Sequence, residues 1–587
     1  MKKPLLLTLL CAAALFTSTG SAASLLHLLP AETLAAVGVE GLAEHEDKAQ
    51  ALIDEWTRLD LTNLLEAAYG EELDGGGEAS DSDVEIPQAL LDADPLDLIG
   101  EELWLVVSAS SFNPLPAVSL VGTMNEAGRG VVKALFDEAS ATAEVTTLTE
   151  GNATFYVMQP DVEAGESDFG EDLSVVVSYG QIDDLVVVSS NPDVTRAVLR
   201  RYQGASEPNL SENAAFNGSV GTLGAGNVYT FLDLPAVVEV AQPFATGMGF
   251  DGLVERLGRA FSTAGSFGSV TTVVADGFEG ASLRVLGDRA SDPQLYDLLA
   301  GSESVTEAPL DFVSPSALGY SVATLDLPGW WAWLGDVATS EPQLGVTDLD
   351  MTVEQMVGID LQETLFRWMG DEVATITAGF APATDIGAPM VNPLGDALYL
   401  VETNDEEAAR TGLATLFQLA ATTASAFMDP MGEGEPIAPA TSTVAGVEVT
   451  RWDLADGFSL STAVTEGYAI FATTPEAMAE ALAARNGAAG LSATLAPLRA
   501  RVPAGVRSYT LSDDRASLAA TADAVLGQMG MITGMTGGDI DFEAAEAANT
   551  ALSEFVRFVA ERFVGSVGYS WVDGTTVKGE THTTVQW

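Results

Sequence analysis

One cysteine, three histidines and five lysines in 587 residues leave little from which to build the usual chemical centres. The lone Cys11 lies in the apolar N-terminal run, so the rest of the chain offers no disulfide, no thiolate metal site and no cysteine nucleophile. His27, His45 and His582 stand far apart. His45-Glu46 is followed three residues later by Ala49, not by the second histidine of a His-Glu-x-x-His zinc helix. Each of the three reads as a solvated histidine, His582 on the polar face of a strand. No Gly-x-Ser-x-Gly elbow and no Gly-x-x-x-x-Gly-Lys-Ser/Thr phosphate loop occurs, and the glycines of 221–226 precede a strand where a nucleotide fingerprint needs a helix. Beyond the N-terminal run no stretch reaches the roughly 20 apolar residues that span a bilayer.

What is present in excess is negative charge. The 85 acids against 24 Lys and Arg give a net charge of −61, a field that repels nucleic acid and anionic lipid, so neither is expected as a partner. The acids gather at 71–85, 161–172 and Glu433-Gly434-Glu435, beside Gly75-Gly76-Gly77, Pro430, Pro436 and Pro439, which read as loops. Asp81, Asp83 and Glu85, and Asp539, Asp541 and Glu543, alternate as divalent-cation ligands can. Both runs lack the glycine at the sixth position and the glutamate at the twelfth of a calcium-binding loop, so solvated loops are the reading. With acids this abundant a carboxylate pair of the glycosidase kind carries little information. No catalytic, cofactor-binding or metal-ligating residue is predicted.

Lys2-Lys3, the apolar run Pro4–Phe16 and the small residues Gly20, Ser21, Ala22 and Ala23 read as a secretory signal peptide over 1–23. An uncleaved anchor and a lipoprotein using Cys11 are the alternatives. The bulky Thr8-Leu9-Leu10 before Cys11 suits lipid attachment poorly.

The remaining chain says nearly the same thing twice. Gly100-Glu101-Glu102-Leu103 returns as Gly370-Asp371-Glu372-Val373. Arg129 with Leu135-Phe136 returns as Arg410 with Leu416-Phe417. Val188-Ser189-Ser190-Asn191-Pro192-Asp193 returns as Phe471-Ala472-Thr473-Thr474-Pro475-Glu476, and Gly268-Ser269-Val270 as Gly565-Ser566-Val567. The offsets grow in one order (370−100 = 270, 410−129 = 281, 475−192 = 283, 565−268 = 297), as two copies with longer loops in the second require. The expected domains are therefore 24–290 and 300–587.

Within each half, strand-like and helix-like stretches alternate. Leu173–Ser178 and Asp184–Ser190 read as a hairpin turning at Tyr179–Asp183. Phe458–Val464 and Tyr468–Thr473 read as another turning at Thr465-Glu466-Gly467, and Asp573-Gly574 as a type I′ turn before a terminal alternating strand. Prolines open helices at Pro192 and Pro475, and Leu52, Ile53, Trp56, Leu59 and Leu64-Leu65 mark an apolar face over 46–67. A finer echo places four strands before helix starts at Ala43, Pro235, Pro328 and Asp514. Hairpins between helices predict an α+β fold of two tandem homologous halves, each a mainly antiparallel, curved sheet with helices packed on it.

The Leu29-Pro30-Ala31-Glu32-Thr33 opening, the hairpin leading to Asn191-Pro192-Asp193, and Leu210-Ser211-Glu212-Asn213 with Phe216 resemble an exported bacterial family catalogued as a domain of unknown function (DUF thirty-three fifty-two). The resemblance implies an extracytoplasmic protein without an assigned activity and supplies no functional residues. The second half departs from it, with Leu491-Ser492-Ala493-Thr494-Leu495 in place of the Ser-Glu-Asn segment.

The expected function is that of an exported, non-catalytic protein of the periplasm or cell envelope with a structural or binding role, its partner unidentified: envelope components or an apolar ligand. The alternatives are a carrier or chaperone for an apolar ligand such as lipid, and a calcium-stabilised envelope scaffold. Trp330-Trp331-Ala332-Trp333 is read as core or inter-half packing, against a membrane or carbohydrate contact. Specific function is expected where the copies diverge: at 159–172, at the Trp330 cluster and at 427–443.

Overall fold

The computed structural model describes residues 25–41, 46–59, 102–109, 116–141, 143–159, 176–247, 251–301, 303–342, 345–379, 396–428, 437–455, 458–488, 490–520 and 542–587. The fold is α+β, and each strand pair with a defined register is antiparallel. The chain divides into two compact units, Met1–Ile53 with Asp74–Tyr296 and Thr575–Lys578, and Asp54–Leu73 with Asp297–Gly574 and Gly579–Trp587.

The strands of the first unit are β1 (Thr33–Glu40), β2 (Glu102–Ser108), β3 (Ala117–Thr123), β4 (Glu144–Glu150), β5 (Ala153–Gln159), β6 (Val177–Ile182), β7 (Leu185–Ser189), β8 (Val228–Asp233), β9 (Ser266–Val274) and β10 (Gly277–Val285). They pair in the order β4-β5-β6-β7-β3-β2-β1-β8-β9-β10. Side chains of a strand alternate between faces, and β2 shows it: Trp104 and Val106 are buried while Leu105 between them is exposed. The buried face joins Trp104, Val106, Val121, Val187, Phe216 and Phe231 in one core. Helix Pro192–Tyr202 contributes Val194 and Val198 to it, at the spacing expected of one helical face. On the other face helix Glu126–Ala139 lays Phe136 onto Tyr179 at a ring separation of 5.3 Å.

The second unit is built from β11 (Gly319–Thr324), β12 (Met369–Gly379), β13 (Asp396–Thr403), β14 (Ala440–Val444), β15 (Val447–Ala455), β16 (Phe458–Thr465), β17 (Tyr468–Ala472), β18 (Ser508–Ser512), β19 (Phe563–Asp573) and the part of β20 (Thr576–Val585) that follows Lys578. Its order is β14-β15-β16-β17-β13-β12-β11-β18-β19-β20. This is the order of the first unit with every number raised by ten. Helix Pro475–Ala483 buries Ala477, Met478, Ala481 and Leu482 in the core, and helix Glu406–Met428 packs Phe417 on Trp452 on the other face.

The two cores fill one position differently. Gly38 pairs with Trp104 on one side and Tyr229 on the other. Trp104 stacks on Tyr229 at 5.6 Å, and a Cβ on Gly38 would overlap the indole. The same place in the second register holds Val322, between Ala374 and Tyr509. Bulk has moved from one strand to its neighbour, as close packing demands when a large side chain is replaced by a small one.

Several expectations need correction. The first hairpin turns at Asp183-Asp184, because Tyr179 and Gly180 still belong to β6; Asp183 takes the left-handed conformation (φ +52°) that aspartate tolerates better than most residues. Its counterpart turns at Glu466-Gly467, both left-handed, as the type I′ turn requires. Asp573 remains in β19 and the turn is Gly574-Thr575, with positive φ at Gly574 alone, the pattern of a type II′ turn. The helix expected over 46–67 is described as Glu46–Arg58, where Leu59 is buried against Ala551 and Leu552; residues 60–67 lie outside the described part. Helices start at Leu234, Leu327 and Asp514, one residue at most from the expected Pro235, Pro328 and Asp514, while Ala43 lies outside the described part.

Candidate functional site

The repeated acid of the Gly-acid-Glu motif is buried in both units. Glu102 is 3% exposed and accepts the Leu25 N–H at 2.6 Å and the Trp104 indole N–H at 2.7 Å. Glu372 is 3% exposed and accepts the Thr306 N–H, the Thr306 hydroxyl at 2.8 Å and the Tyr468 hydroxyl at 2.7 Å. Each carboxylate thus ties down the backbone that enters the first strand of its unit, and the hydrogen bonds it accepts stabilise the buried charge. Burial, more than any neighbour, also raises the Tyr468 phenol above its ordinary pKa.

The repeated hydroxyl works in the same way. Ser190 Oγ accepts the Val118 N–H at 2.9 Å, and Thr473 Oγ1 accepts the Ala397 N–H at 2.9 Å. The following residues cap their helices: Asn191 Oδ1 takes the Asp193 N–H at 2.9 Å and Thr474 Oγ1 the Ala477 N–H at 3.2 Å.

The residues carrying the family resemblance form a backbone latch. The carbonyls of Leu28, Leu29, Pro30 and Ala31 accept, in turn, from Arg201 Nη1 (2.9 Å), the Leu210 N–H (3.0 Å), the Thr33 hydroxyl (2.7 Å) and Asn213 Nδ2 (2.8 Å). Asn213 Oδ1 also caps Phe216 at 2.9 Å. In the second unit the Gly490 N–H reaches the Val313 carbonyl at 3.0 Å, and Ser492 Oγ, in the departing segment, takes the Leu495 N–H at 3.1 Å. Buried Arg201 and half-buried Arg507 serve the backbone too. Arg201 also reaches the Pro208 carbonyl at 2.8 Å, and Arg507 reaches those of Leu299 (2.6 Å) and Leu298 (3.1 Å); burial pushes both guanidinium pKa values down from their ordinary range. Arg256 and Asp292 form a buried ion pair, and Asp292 caps Leu295.

His27 is exposed. His582 is only 7% exposed, with Nε2 at 3.3 Å from the Thr584 hydroxyl, contrary to the solvated reading. Both faces of β20 are at least half-covered along most of its length, so alternation of polar residues does not mark a solvent face there. His45 lies outside the described part, as do 71–85, 161–172, Glu433-Gly434-Glu435, Asp81, Asp83, Glu85, Asp539 and Asp541. Glu543 opens the described helix Phe542–Ala560. Among the described residues no group of three or more His, Cys, Asp or Glu is placed to hold a metal ion, and no helix is long and apolar enough to cross a membrane.

One region departs from this pattern of inward-facing groups. Helix Leu327–Thr339 carries Trp330, Trp331, Trp333 and Leu334, yet has no buried residue, and neither has the following helix Leu349–Val357. The pair is nonetheless well defined. Asp326 caps Gly329 at 2.7 Å and Asp348 caps Met351 at 3.0 Å. Trp331 donates its indole N–H to Asp350 at 2.7 Å and lies 5.7 Å from the Phe366 ring, while Trp330 and Trp333 meet edge to face at 5.8 Å. Gly335 faces Leu349 of the second helix, where a Cβ would find ordinary van der Waals contact at 3.7 Å from Leu349 Cβ. The three tryptophans are half-buried and belong to none of the buried core clusters, which corrects the core alternative of the packing reading. Leu334 (46% exposed), Met351 (51%), Met356 (73%) and Val357 (39%) face outward from the same two helices. Sequence reasoning found the tryptophans but missed these four. The available signal was that 327–366 contains seven acids and no Lys, Arg or His.

No curated protein and no solved structure matches the chain. A family model matches residues 161–495, more than half of the chain. The stretch runs from ahead of the β6–β7 hairpin, through the Asn213 latch residues and the exposed helix pair, to Leu495. The chain belongs to the family described as "Protein of unknown function (DUF3352)".

Proposed function

We propose that the chain is an exported, non-catalytic protein of the cell envelope that acts by binding, built from two tandem copies of one ten-strand unit. The observation that carries the non-catalytic reading is the use made of buried and half-buried charge. Glu102, Glu372, Arg201 and Arg507 are each spent on backbone groups or on an indole or phenol beside them. A general acid, base or nucleophile must instead point into a place a substrate can reach.

The shared strand order and the matched roles of Glu102 and Glu372, Ser190 and Thr473, and Asn191 and Thr474 support the two-copy reading. The run 1–23 supports export, and the copies' shared residues leave binding to the places where they differ.

Export is checked by N-terminal sequencing of the protein recovered from the extracytoplasmic fraction, expected to begin near Ala23 or Ser24; recovery of the whole signal segment in the cytoplasm contradicts it. The non-catalytic reading is checked with hydrolase and transferase substrate panels. Turnover abolished by a single acid substitution that leaves the melting transition intact would overturn it.

A further inference from the structure

The sheet of the first unit turns an apolar row outward where the second unit turns a polar one. Directly paired residues of antiparallel strands share a face. Val118, Val107, Ala35, Leu232, Phe267 and Arg284 are successive partners from β3 across β2, β1, β8 and β9 to β10. Beside them, two residues further along each strand, run Leu120, Leu105, Val37 and Thr230. Both rows lie opposite the core face of Ala36, Trp104, Val106 and Phe231. Val37 is 42% exposed, Leu105 45% and Val118 48%, and the others are half-buried.

The same rows of the second unit read Ala397, Thr377, Gly319, Ser512 and Ser566, and Tyr399, Thr375, Ser321 and Thr510. The Ser321 and Thr510 hydroxyls share a hydrogen bond at 3.0 Å. One scaffold therefore accepts polar residues on this face, so folding does not require the apolar row of the first unit. Exposed apolar surface of that kind marks an interaction site.

Arg284 ends the row and says what the site takes. It is half-buried, and among the described residues no hydrogen bond or ion pair reaches its guanidinium. Burial alone lowers its pKa from the ordinary range. In a chain of net charge −61 an arginine without a carboxylate beside it is a place kept for an anion from outside. From this register we infer that the face binds a long-chain fatty acid, its hydrocarbon chain laid across the strands and its carboxylate on Arg284. The inference deepens the binding role proposed above and rests on it.

Length and charge choose this occupant over others. Inter-strand steps of about 4.8 Å from β3 to β10 place Val118 roughly 24 Å from Arg284, the reach of an extended chain of about 16 to 18 carbons. The second row turns polar at Thr230 and Ser269, which leaves apolar floor for one chain and not for the two of a diacyl phospholipid. A second copy of the protein, or an anionic membrane, meets the repulsion of the whole chain. A single carboxylate meets Arg284 at close range, while charges more than about 8 Å away are screened at physiological salt.

The test uses the full chain, stripped of lipid on a hydrophobic resin, and cis-parinarate, a fluorescent long-chain carboxylate. Saturable binding is expected, displaced by palmitate, and by uncharged methyl palmitate about tenfold or more less effectively. Arg284→Gln is expected to weaken cis-parinarate and palmitate by about tenfold or more and to leave methyl palmitate unchanged, with Arg284→Lys restoring part of the loss. Val37→Ser/Leu105→Thr/Val118→Ala writes the second unit's residues into exposed positions of the first. It is expected to keep the melting transition and to weaken all three ligands by about tenfold or more. Arg259→Gln, which removes an exposed pair with Glu255, is expected to change none of them.

Absence of saturable binding, equal affinity for palmitate and methyl palmitate, or undiminished binding by Arg284→Gln or by the triple variant would overturn the inference. Displacement by lysophosphatidylcholine at lower concentration than by palmitate would overturn it in favour of a phospholipid. Each of these results leaves the non-catalytic reading standing, because only turnover bears on that.

Discussion

The strand–helix junctions after β8 and after β11 begin with the same four residues. Leu232-Asp233-Leu234-Pro235 and Leu325-Asp326-Leu327-Pro328 end a strand and start a helix with an aspartate cap, Asp233 on Ala236 at 3.3 Å and Asp326 on Gly329 at 2.7 Å. Directly after, one reads Ala-Val-Val-Glu-Val and the other Gly-Trp-Trp-Ala-Trp. The start signal is common and the helix surface is not. The same division holds in the sheets: Glu102 and Glu372 do one job, whereas Gly38/Trp104 and Val322/Ala374 fill one place in two ways. Groups that satisfy backbone recur, since an orphaned buried donor is costly. Apolar volume can be traded between neighbours, and exposed side chains are constrained by neither.

The comparison is broken most severely at Trp104. Trp104→Ala is expected to cost about 3–5 kcal/mol in denaturant unfolding, for the lost burial and the cavity left over Gly38. Next come the anchors. Glu372→Leu strands the Thr306 N–H and the Tyr468 hydroxyl, and Glu102→Leu strands the Leu25 N–H and the Trp104 indole, at about 1–3 kcal/mol per orphaned donor. Similar losses in the two variants, each with local loss of hydrogen-exchange protection at the entering strand, sharpen the equivalence; a loss in only one breaks it. Helix caps follow, with Asn191→Ala and Thr474→Ala each expected to cost about 1 kcal/mol.

The smallest effect concerns Asp514. Burial raises its carboxyl above the ordinary carboxylate range, while hydrogen bonds from Ser512 and Ser566 oppose the rise. The folded state therefore holds the proton more tightly than the unfolded chain. The cost of ionising Asp514 is absent below the ordinary aspartate pKa, grows as pH rises through the folded-state value, and is complete at neutral pH. Asp514→Asn is accordingly expected to raise the melting temperature slightly at neutral pH and to bring no gain in acid. Asp233 is raised by burial in the same direction, so Asp233→Asn tests whether the junction of the first unit shares the property.

The repeated positions were legible as sequence because backbone satisfaction restricts residue type: a glutamate that accepts two or three donors, a hydroxyl that takes an N–H, an asparagine or threonine that caps. Hairpins and proline-led helices were legible for the same reason. The Asp183-Asp184 turn was misplaced because Tyr179 and Gly180 carry no strand signal as strong as the valines of β7. His582 was misread because alternation gives the period of a strand but not what covers each face. The burial of Glu102 and Glu372 was hidden for a related reason, since in so acidic a chain one more acid beside a glycine is unremarkable. The exposed helix pair escaped notice because periodicity that normally signals a covered face carries no information on whether the cover is present.

The most direct measurement is the double-mutant cycle of Gly38→Val and Trp104→Ala. Valine against the intact indole is expected to cost about 1–3 kcal/mol through overpacking, and alanine alone leaves a cavity. If the two units are two packings of one scaffold, the double variant reproduces the Val322/Ala374 arrangement of the second unit. It should then be more stable than the sum of the single losses by about 1 kcal/mol or more. Strictly additive losses would contradict the equivalence of the two sites and, with it, the reading of this chain as one unit built twice.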